Sequence, residues 1–448
     1  MPLFKRKIPA VPVRGVHLDL KGLPPKAKRL LEILDIASSL RINCILVEWE
    51  DMYPWKAYPE LKNSTAYSEN TVKAFLKKAA KLKIDIIPLV QSFGHLETLL
   101  RQKRFLSLRE TPDDISNLCP SNPNSVPTIK ALIDDILRTH NGQIRYFHLG
   151  GDEVRSLGTC TQCREAVHKR GKSYLYLKHI MPLLEYIKNK GLRPILWDDM
   201  MRSWNVPSLK WVSLLTDLMV WEYSASPSIN VGEGIIDKYL KSGMEIWAAS
   251  AFKGGNYMYA DIPNVSVRIE NNIYWADAVK KKHMKGMIAT GWSRYATHWA
   301  PCESLESSWD TFAAAALIMW DGRSSGEEFI LRARSVIKSG KLKSLIRDPF
   351  AACRGASEEI DRWKRDNSQL SEWIRSLSLH DNSPFTGEKN KKIYRKQFAL
   401  CIEKGKKILK KWHRAHSRFV PGIWLDEYVR SRIQNAELEL NDIAEKYF

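Results

Sequence analysis

The 448-residue chain has little cysteine, no long apolar run and no internal repeat. Its seven cysteines are an odd number scattered through a large chain, which argues against the disulfide framework that staples small secreted domains. Only Cys160 and Cys163 stand at a CxxC spacing. A zinc site would need two further ligands, for which Cys119 and His168 are candidates. The simpler expectation is a loop with two reduced thiols and no metal. The longest apolar run, Phe312 to Trp320, falls far short of the about 20 residues needed to span a membrane. The N-terminal segment MPLFKRKIPAVPVRG is basic but no apolar stretch follows it, so no secretory signal is read and the expected location is the cytoplasm.

Acidic residues are also in short supply: 50 Asp and Glu face 70 Lys and Arg, a net charge of +20. Much of the excess lies in KNKKIYRK (Lys389 to Lys396) and EKGKKILKKWHR (Glu403 to Arg414), where the spacing suits a solvated helix face. No nucleic-acid-binding module accompanies these runs, so no nucleic-acid partner is expected. A homodimer is compatible with the sequence. A hydrophobic content of 44% with a mean hydropathy of −0.35 supplies one large core and a second, smaller unit.

What is present is an alternation. Short β-rich runs at Arg14 to Leu20, Cys44 to Glu50, Ile84 to Gln91, Ile144 to Leu149, Arg193 to Trp197, Leu218 to Trp221, Glu245 to Ala251 and Gly286 to Gly291 are separated by amphipathic segments. Among the latter are Ala27 to Leu40, Asn70 to Leu82, Ile129 to Leu137 and Tyr174 to Lys190, the last closed by Gly191. Eight strand–helix units predict an α/β protein with a (β/α)8 TIM barrel over residues 8–325. The charge-rich helical rhythm after that, interrupted near Pro349, at HDNSPFTGE (His380 to Glu388) and near Pro421, predicts a C-terminal α-helical domain over 326–448. Polar and aromatic residues gather at the C-terminal ends of the strands: Asp19, Glu50, Asp51, His95, Asp152, Glu153, Asp198, Asp199, Glu222 and Trp292. In a barrel that end carries the active site.

The segment IRYFHLGGDEV (Ile144 to Val154) ends a strand in two glycines and two adjacent acids. Just past a strand end both acids can enter one cleft, and a dry site would keep one of them protonated. Such a pair suits glycoside hydrolysis, which needs an acid for the leaving oxygen. HLGGDEV resembles the signature of glycoside hydrolase family 20, the β-N-acetylhexosaminidases. VHLDLKG (Val16 to Gly22), EDMYPW (Glu50 to Trp55), IPLVQSFGH (Ile87 to His95), LWDDM (Leu196 to Met200), WAASAFKG (Trp247 to Gly254) and TGWSRY (Thr290 to Tyr295) resemble its hexosaminidase D branch. The resemblance implies a carbohydrate substrate with terminal β-linked GlcNAc or GalNAc, no cofactor, and catalysis in which the substrate's 2-acetamido oxygen is the nucleophile. Glu153 would be the general acid and base, with a pKa well above that of a free glutamate. Asp152 would accept the acetamido N–H. Arg14 and His95 would hold sugar hydroxyls and support the acid, and Trp197, Trp221 and Trp292 would box the acetyl methyl.

The chain departs from the family pattern at Gln91 and at Arg294, where acids are usual. Glu303 is the candidate to replace the lost contact to the distal hydroxyls. Tyr295, then Tyr223, are candidates to hold the acetamido oxygen. Asp198 and Asp199 either touch substrate or cap a helix, and Lys253 and Glu50 serve equally well as ion-pair members. Two other readings compete: an O-GlcNAcase-like hydrolase, which would use paired aspartates, and a non-catalytic sugar-binding barrel.

Overall fold

The computed structural model describes residues 4–140, 142–255, 259–322, 325–378 and 388–447. Eight parallel strands close into a barrel in chain order. They are β1 (Val13–Asp19), β2 (Cys44–Glu48), β3 (Asp85–Leu89), β4 (Tyr146–His148), β5 (Arg193–Trp197), β6 (Asp217–Trp221), β7 (Ile246–Lys253) and β8 (Gly286–Gly291). Runs such as CILVE and GMIATG are buried along their whole length, as strands covered on both faces must be. Inside the barrel Leu46, Ile87, Leu89, Ile195, Trp197, Met219, Trp247, Ala249 and Ile288 pack into one cluster. The barrel is therefore plugged below, and ligand access is confined to the ends of the strands.

The crossover helices fall where the periodicity predicts them. Ala27–Ser39 turns Leu30, Ile33, Leu34 and Ala37 inward, and Glu69–Lys81 is capped by the Ser68 hydroxyl, which accepts from the Thr71 N–H at 3.1 Å. The Tyr174 to Lys190 segment is the second half of a longer helix, Thr161–Asn189, broken at Gly171 with φ 82°. Strand β2 stops two residues short of the predicted Glu50, because Glu50 adopts a left-handed φ of 46° and opens a short 3-10 turn.

Three long helices, Asp348–Ser378, Glu388–His416 and Gly422–Tyr447, follow the barrel. The first begins beside Pro349 and the third directly after Pro421, both predicted breaks; the break at His380 to Glu388 lies almost wholly outside the described residues. Trp363, Trp412, Leu425 and Tyr428 join the same hydrophobic core as the barrel's outer helices. Polar ties reach from these helices to the barrel mouth. Asp261, in the loop after β7, is bound by Arg432 at 2.9 Å, by Lys364 at 2.7 Å and by the Tyr428 hydroxyl. Arg294, in the loop after β8, forms a forked pair with Glu427 at 2.7 and 2.8 Å. The C-terminal helices thus hold the two loops that wall one side of the mouth.

Candidate active site

Strand β4 is short, and Gly150 and Gly151 carry the chain out of it at φ 62° and 84°. A Cβ at Gly150 would lie 1.9 Å from the Gln91 side chain, so no larger residue fits without moving it. Asp152 and Glu153 come next. In an extended strand their side chains would face opposite ways. Here Glu153 takes a left-handed φ of 46°, sparsely allowed for a residue with a side chain, and both acids line one cavity. The Glu153 N–H donates to Asp199 Oδ2 at 3.0 Å, which holds the turn in place. His95, in the loop after β3, is also left-handed, at φ 55°.

The cavity encloses about 270 Å³. That is small beside the roughly 300–1,000 Å³ of sites for drug-sized ligands, so it fits one compact unit. Asp152 is buried, with Oδ2 3.5 Å from His95 Nε2 and Oδ1 without a hydrogen-bond partner. Glu153 is half-buried. Its Oε2 lies 3.2 Å from His95 Nε2 and accepts from the Tyr295 hydroxyl at 3.0 Å, and its Oε1 accepts from Arg155 at 3.0 Å. Burial pushes the Asp152 carboxyl up to about 7, with Asp199 and Glu153 adding to it against the pull of His95. Burial alone would raise Glu153 too, but the hydrogen bond and charge of His95, with the charge of Arg155, outweigh it and hold Glu153 at about 2. His95 rises to about 9, because Asp152 and Glu153 together overcome the penalty of burying its charge. The expectation of a raised Glu153 is thus reversed in the free site: of the two acids Asp152 is the one pushed up and Glu153 the one held down, because Asp152 lacks a cation as close as those on Glu153.

Aromatic rings make the opposite wall. Trp197, Trp221, Trp292 and Tyr223 all line the cavity. Trp197 and Trp292 have ring centroids 6.0 Å apart, and Trp221 stacks on Tyr223 at 5.3 Å. Asp199 Oδ1 accepts from the Trp221 indole at 3.3 Å, so one aspartate positions both the acid's backbone and this wall. The polar lining comes from Lys21, Gln91 and Arg294. Lys21 is buried, bridging Asp19 at 3.1 Å and Glu48 at 2.7 Å; burial disfavours its charge, but these carboxylates outweigh that and its pKa is raised. Gln91 donates to Glu48 at 3.1 Å and keeps its buried Oε1 unpartnered.

The sequence profile of the glycosyl hydrolase family 20 catalytic domain matches residues 12–323. The chain belongs to that family. Hexosaminidase D of Bos taurus is 34% identical over 304 residues, covering 65% of this chain and 88% of its own length. Hexosaminidase D of Homo sapiens is 33% identical over 321 residues, covering 69% and 66%. Among solved structures, a β-N-acetylhexosaminidase from Bacteroides fragilis superposes with a TM-score of 0.56 at 18% identity, over 73% of this chain and 70% of that one. A chitobiase from Flavobacterium johnsoniae gives 0.59 at 16% identity, over 98% and 73%. At such identities these two likenesses speak for the fold.

Within this family 20 site, several sequence expectations change. Arg14 lies near the start of β1, at the far end of the barrel, where its guanidinium donates to the carbonyls of Val11, Pro12 and Arg41 and covers the Trp320 ring. It cannot reach a sugar at the mouth. Asp198 is fully buried and is taken up by Arg202 at 2.8 Å, the Tyr239 hydroxyl and the Trp221 N–H; its neighbour Asp199 does not line the cavity but holds the Glu153 N–H and the Trp221 indole. Glu303 does not line the cavity, because its Oε2 accepts the Gly254 N–H at 3.2 Å. The two candidate tyrosines stand in different surroundings. Tyr295 holds the carboxylate of Glu153, while Tyr223 stands among the indoles. Lys253 is structural, donating to the Trp292 carbonyl at 2.7 Å. Arg155 and Lys21 escaped sequence reasoning; the only signal for either was proximity to an acid motif. Outside the cavity Cys119 joins Cys160 and Cys163, whereas His168 is exposed and lies outside that group.

Proposed function

We propose that the chain is an exo-β-N-acetylhexosaminidase that removes terminal non-reducing β-linked GlcNAc or GalNAc with retention, through an oxazoline-type intermediate formed by the substrate's own acetamido group. The observation that carries this reading is one small cavity shared by an Asp–Glu pair and three indoles. The activities named for the relatives support it. A site for an ordinary two-carboxylate retaining mechanism would not need an apolar box beside the acids.

The steps follow from the geometry. Asp152 Oδ1, with no protein partner, accepts the acetamido N–H. Trp197, Trp221 and Trp292 surround the methyl, and Tyr223 holds the carbonyl oxygen, which leaves that oxygen aimed at the anomeric carbon. Accepting the N–H favours the ionised form of Asp152. His95, a cation below about pH 9 with Nε2 within 3.5 Å of both acids, gives its proton to Glu153 and takes the one that Asp152 releases. Glu153 then protonates the glycosidic oxygen as the carbonyl oxygen closes on the anomeric carbon. In the second half it takes a proton from the water that opens the ring. That none of the seven cysteines is in a disulfide supports a reducing, cytoplasmic setting.

Two experiments test this. Aryl β-GlcNAc and β-GalNAc should be hydrolysed, and the matching aryl β-glucoside, with a hydroxyl in place of the acetamide, should be slower by several orders of magnitude, since an intramolecular nucleophile is worth that much. Equal rates would remove the acetamide from the mechanism. The pH dependence carries a sign. The pair works with one proton between its two acids, and in the free site that proton belongs to Asp152, whose pKa is about 7. kcat/KM should therefore fall as pH rises through about 7, where the free enzyme loses the proton that Glu153 needs. A kcat/KM that stays level well above about pH 7 would contradict the assignment.

A further inference from the structure

Beside the mouth, the loop after β3 meets the loop after β4. Cys119 comes from the first; Cys160 and Cys163 come from the second, where helix Thr161–Asn189 starts. Cys119 Sγ is 3.8 Å from Cys160 Sγ and 3.7 Å from Cys163 Sγ. These separations are far too long for a disulfide, whose sulfurs lie about 2.05 Å apart. They match the edge of a tetrahedron with metal–sulfur bonds of about 2.3 Å, which is about 3.8 Å. Glu110 supplies a fourth corner. Its Oε1 accepts the N–H groups of Gly158, Thr159 and Cys160 at 3.1, 2.9 and 3.1 Å. Its Oε2 is buried with no hydrogen-bond partner. The four ligand atoms all lie within 4.8 Å of one another.

We propose that Cys119, Cys160, Cys163 and Glu110 form a structural zinc site. The three sulfurs select a thiophilic ion over magnesium or calcium. All four corners are protein atoms, so no position is left open for a catalytic water. On binding, the three thiols lose their protons to solvent and become thiolates, and Glu110 binds as a carboxylate. The resulting negative charge is partly offset by the three N–H groups on Glu110, by the Cys163 N–H, which reaches Cys160 Sγ at 3.4 Å, and by the Ser121 hydroxyl 3.2 Å from Cys163 Sγ. A metal here clips the segment that leaves Glu153 onto the loop that follows His95. Both catalytic turns would then be braced from one point outside the cavity.

The test uses the full chain with zinc as the probe. Protein purified from zinc-replete cells should carry one zinc per chain by elemental analysis. Cys119→Ser and Cys160→Ser should lose it, and Cys401→Ser, in a distant helix, should keep it. A chelator should lower the wild-type melting temperature by a few degrees and leave that of Cys119→Ser unmoved. Should the cysteine variants fail to fold, cobalt(II) added to the metal-stripped wild type should give the intense visible bands of a tetrahedral thiolate site. Wild-type protein without zinc and without those bands overturns the proposal, as does zinc retained in both folded variants or a disulfide found between Cys119 and Cys160.

Discussion

Replacing Glu153 by glutamine should lower kcat by roughly 10²–10⁴ and leave KM close to the wild-type value. Glutamine keeps the shape and can still meet the Tyr295 hydroxyl that reaches Glu153 Oε2 at 3.0 Å, so sugar binding is preserved. What it cannot do is deliver a proton. The loss should therefore scale with the leaving group. A nitrophenol leaves with little help, while an alkyl alcohol or a second sugar needs nearly full protonation. A plot of kcat against leaving-group pKa should be shallow for the wild type and steep for Glu153→Gln. Parallel plots, or a variant that cleaves unactivated glycosides at the wild-type rate, would take the acid role from Glu153. The same variant should also lower the pKa of His95, because one of the two carboxylates that raise it is gone.

Asp152→Asn should cost a comparable amount, about 10²–10³ in kcat, the range found when one preorganised electrostatic stabiliser is removed. Asparagine is nearly isosteric and its carbonyl can still accept the acetamido N–H, so KM should change little. The deficit arises when the acetamide oxygen attacks and positive charge spreads over the forming ring. A carboxylate within a cavity walled by Trp197, Trp221 and Trp292 acts there at low dielectric, where its field is strong. A thiazoline that mimics the cyclised ring should lose affinity for Asp152→Asn in parallel with kcat. The two substitutions combined should be much less than additive, because both acids serve one transition state. A variant with intact turnover, or a thiazoline that binds wild type and Asp152→Asn equally, would exclude Asp152 from charge stabilisation.

In the free site it is Asp152, not Glu153, whose pKa is raised. Glu153 is paired with Arg155 and His95, while Asp152 stays buried with one oxygen unused. On the proposed mechanism such a site is primed by its ligand: an acetamido N–H that donates to Asp152 Oδ1 favours the carboxylate form and releases the proton toward Glu153. A sugar with a 2-hydroxyl in place of the acetamide lacks the N–H that is placed to do this.

The sequence alone determined the barrel and picked out the acid pair that lines its mouth. Long buried strands read as unbroken apolar runs, and their count, order and spacing survive because every strand is covered on both faces. GGDEV was legible because two glycines before two acids have few other uses at a strand end, and the three tryptophans stood at the ends of β5, β6 and just past β8. Tertiary structure decided everything that depends on direction or on distant chain meeting. Arg14 belongs to the right strand but to its wrong end, and of the adjacent Asp198 and Asp199 the first is taken up by Arg202 while the second holds the Glu153 N–H. That Tyr295 meets Glu153 while Tyr223 stacks on Trp221 depends on loop paths that carry no periodicity. The low pKa of Glu153 depends on Arg155 and on His95, which is 58 residues earlier in the chain. Glu110 and Cys119 join the CxxC pair only because neighbouring barrel loops touch. Local patterns set which elements form, since burial acts residue by residue along a strand or helix. Electrostatics and coordination act through space, and in this chain the groups that share them come from different strands.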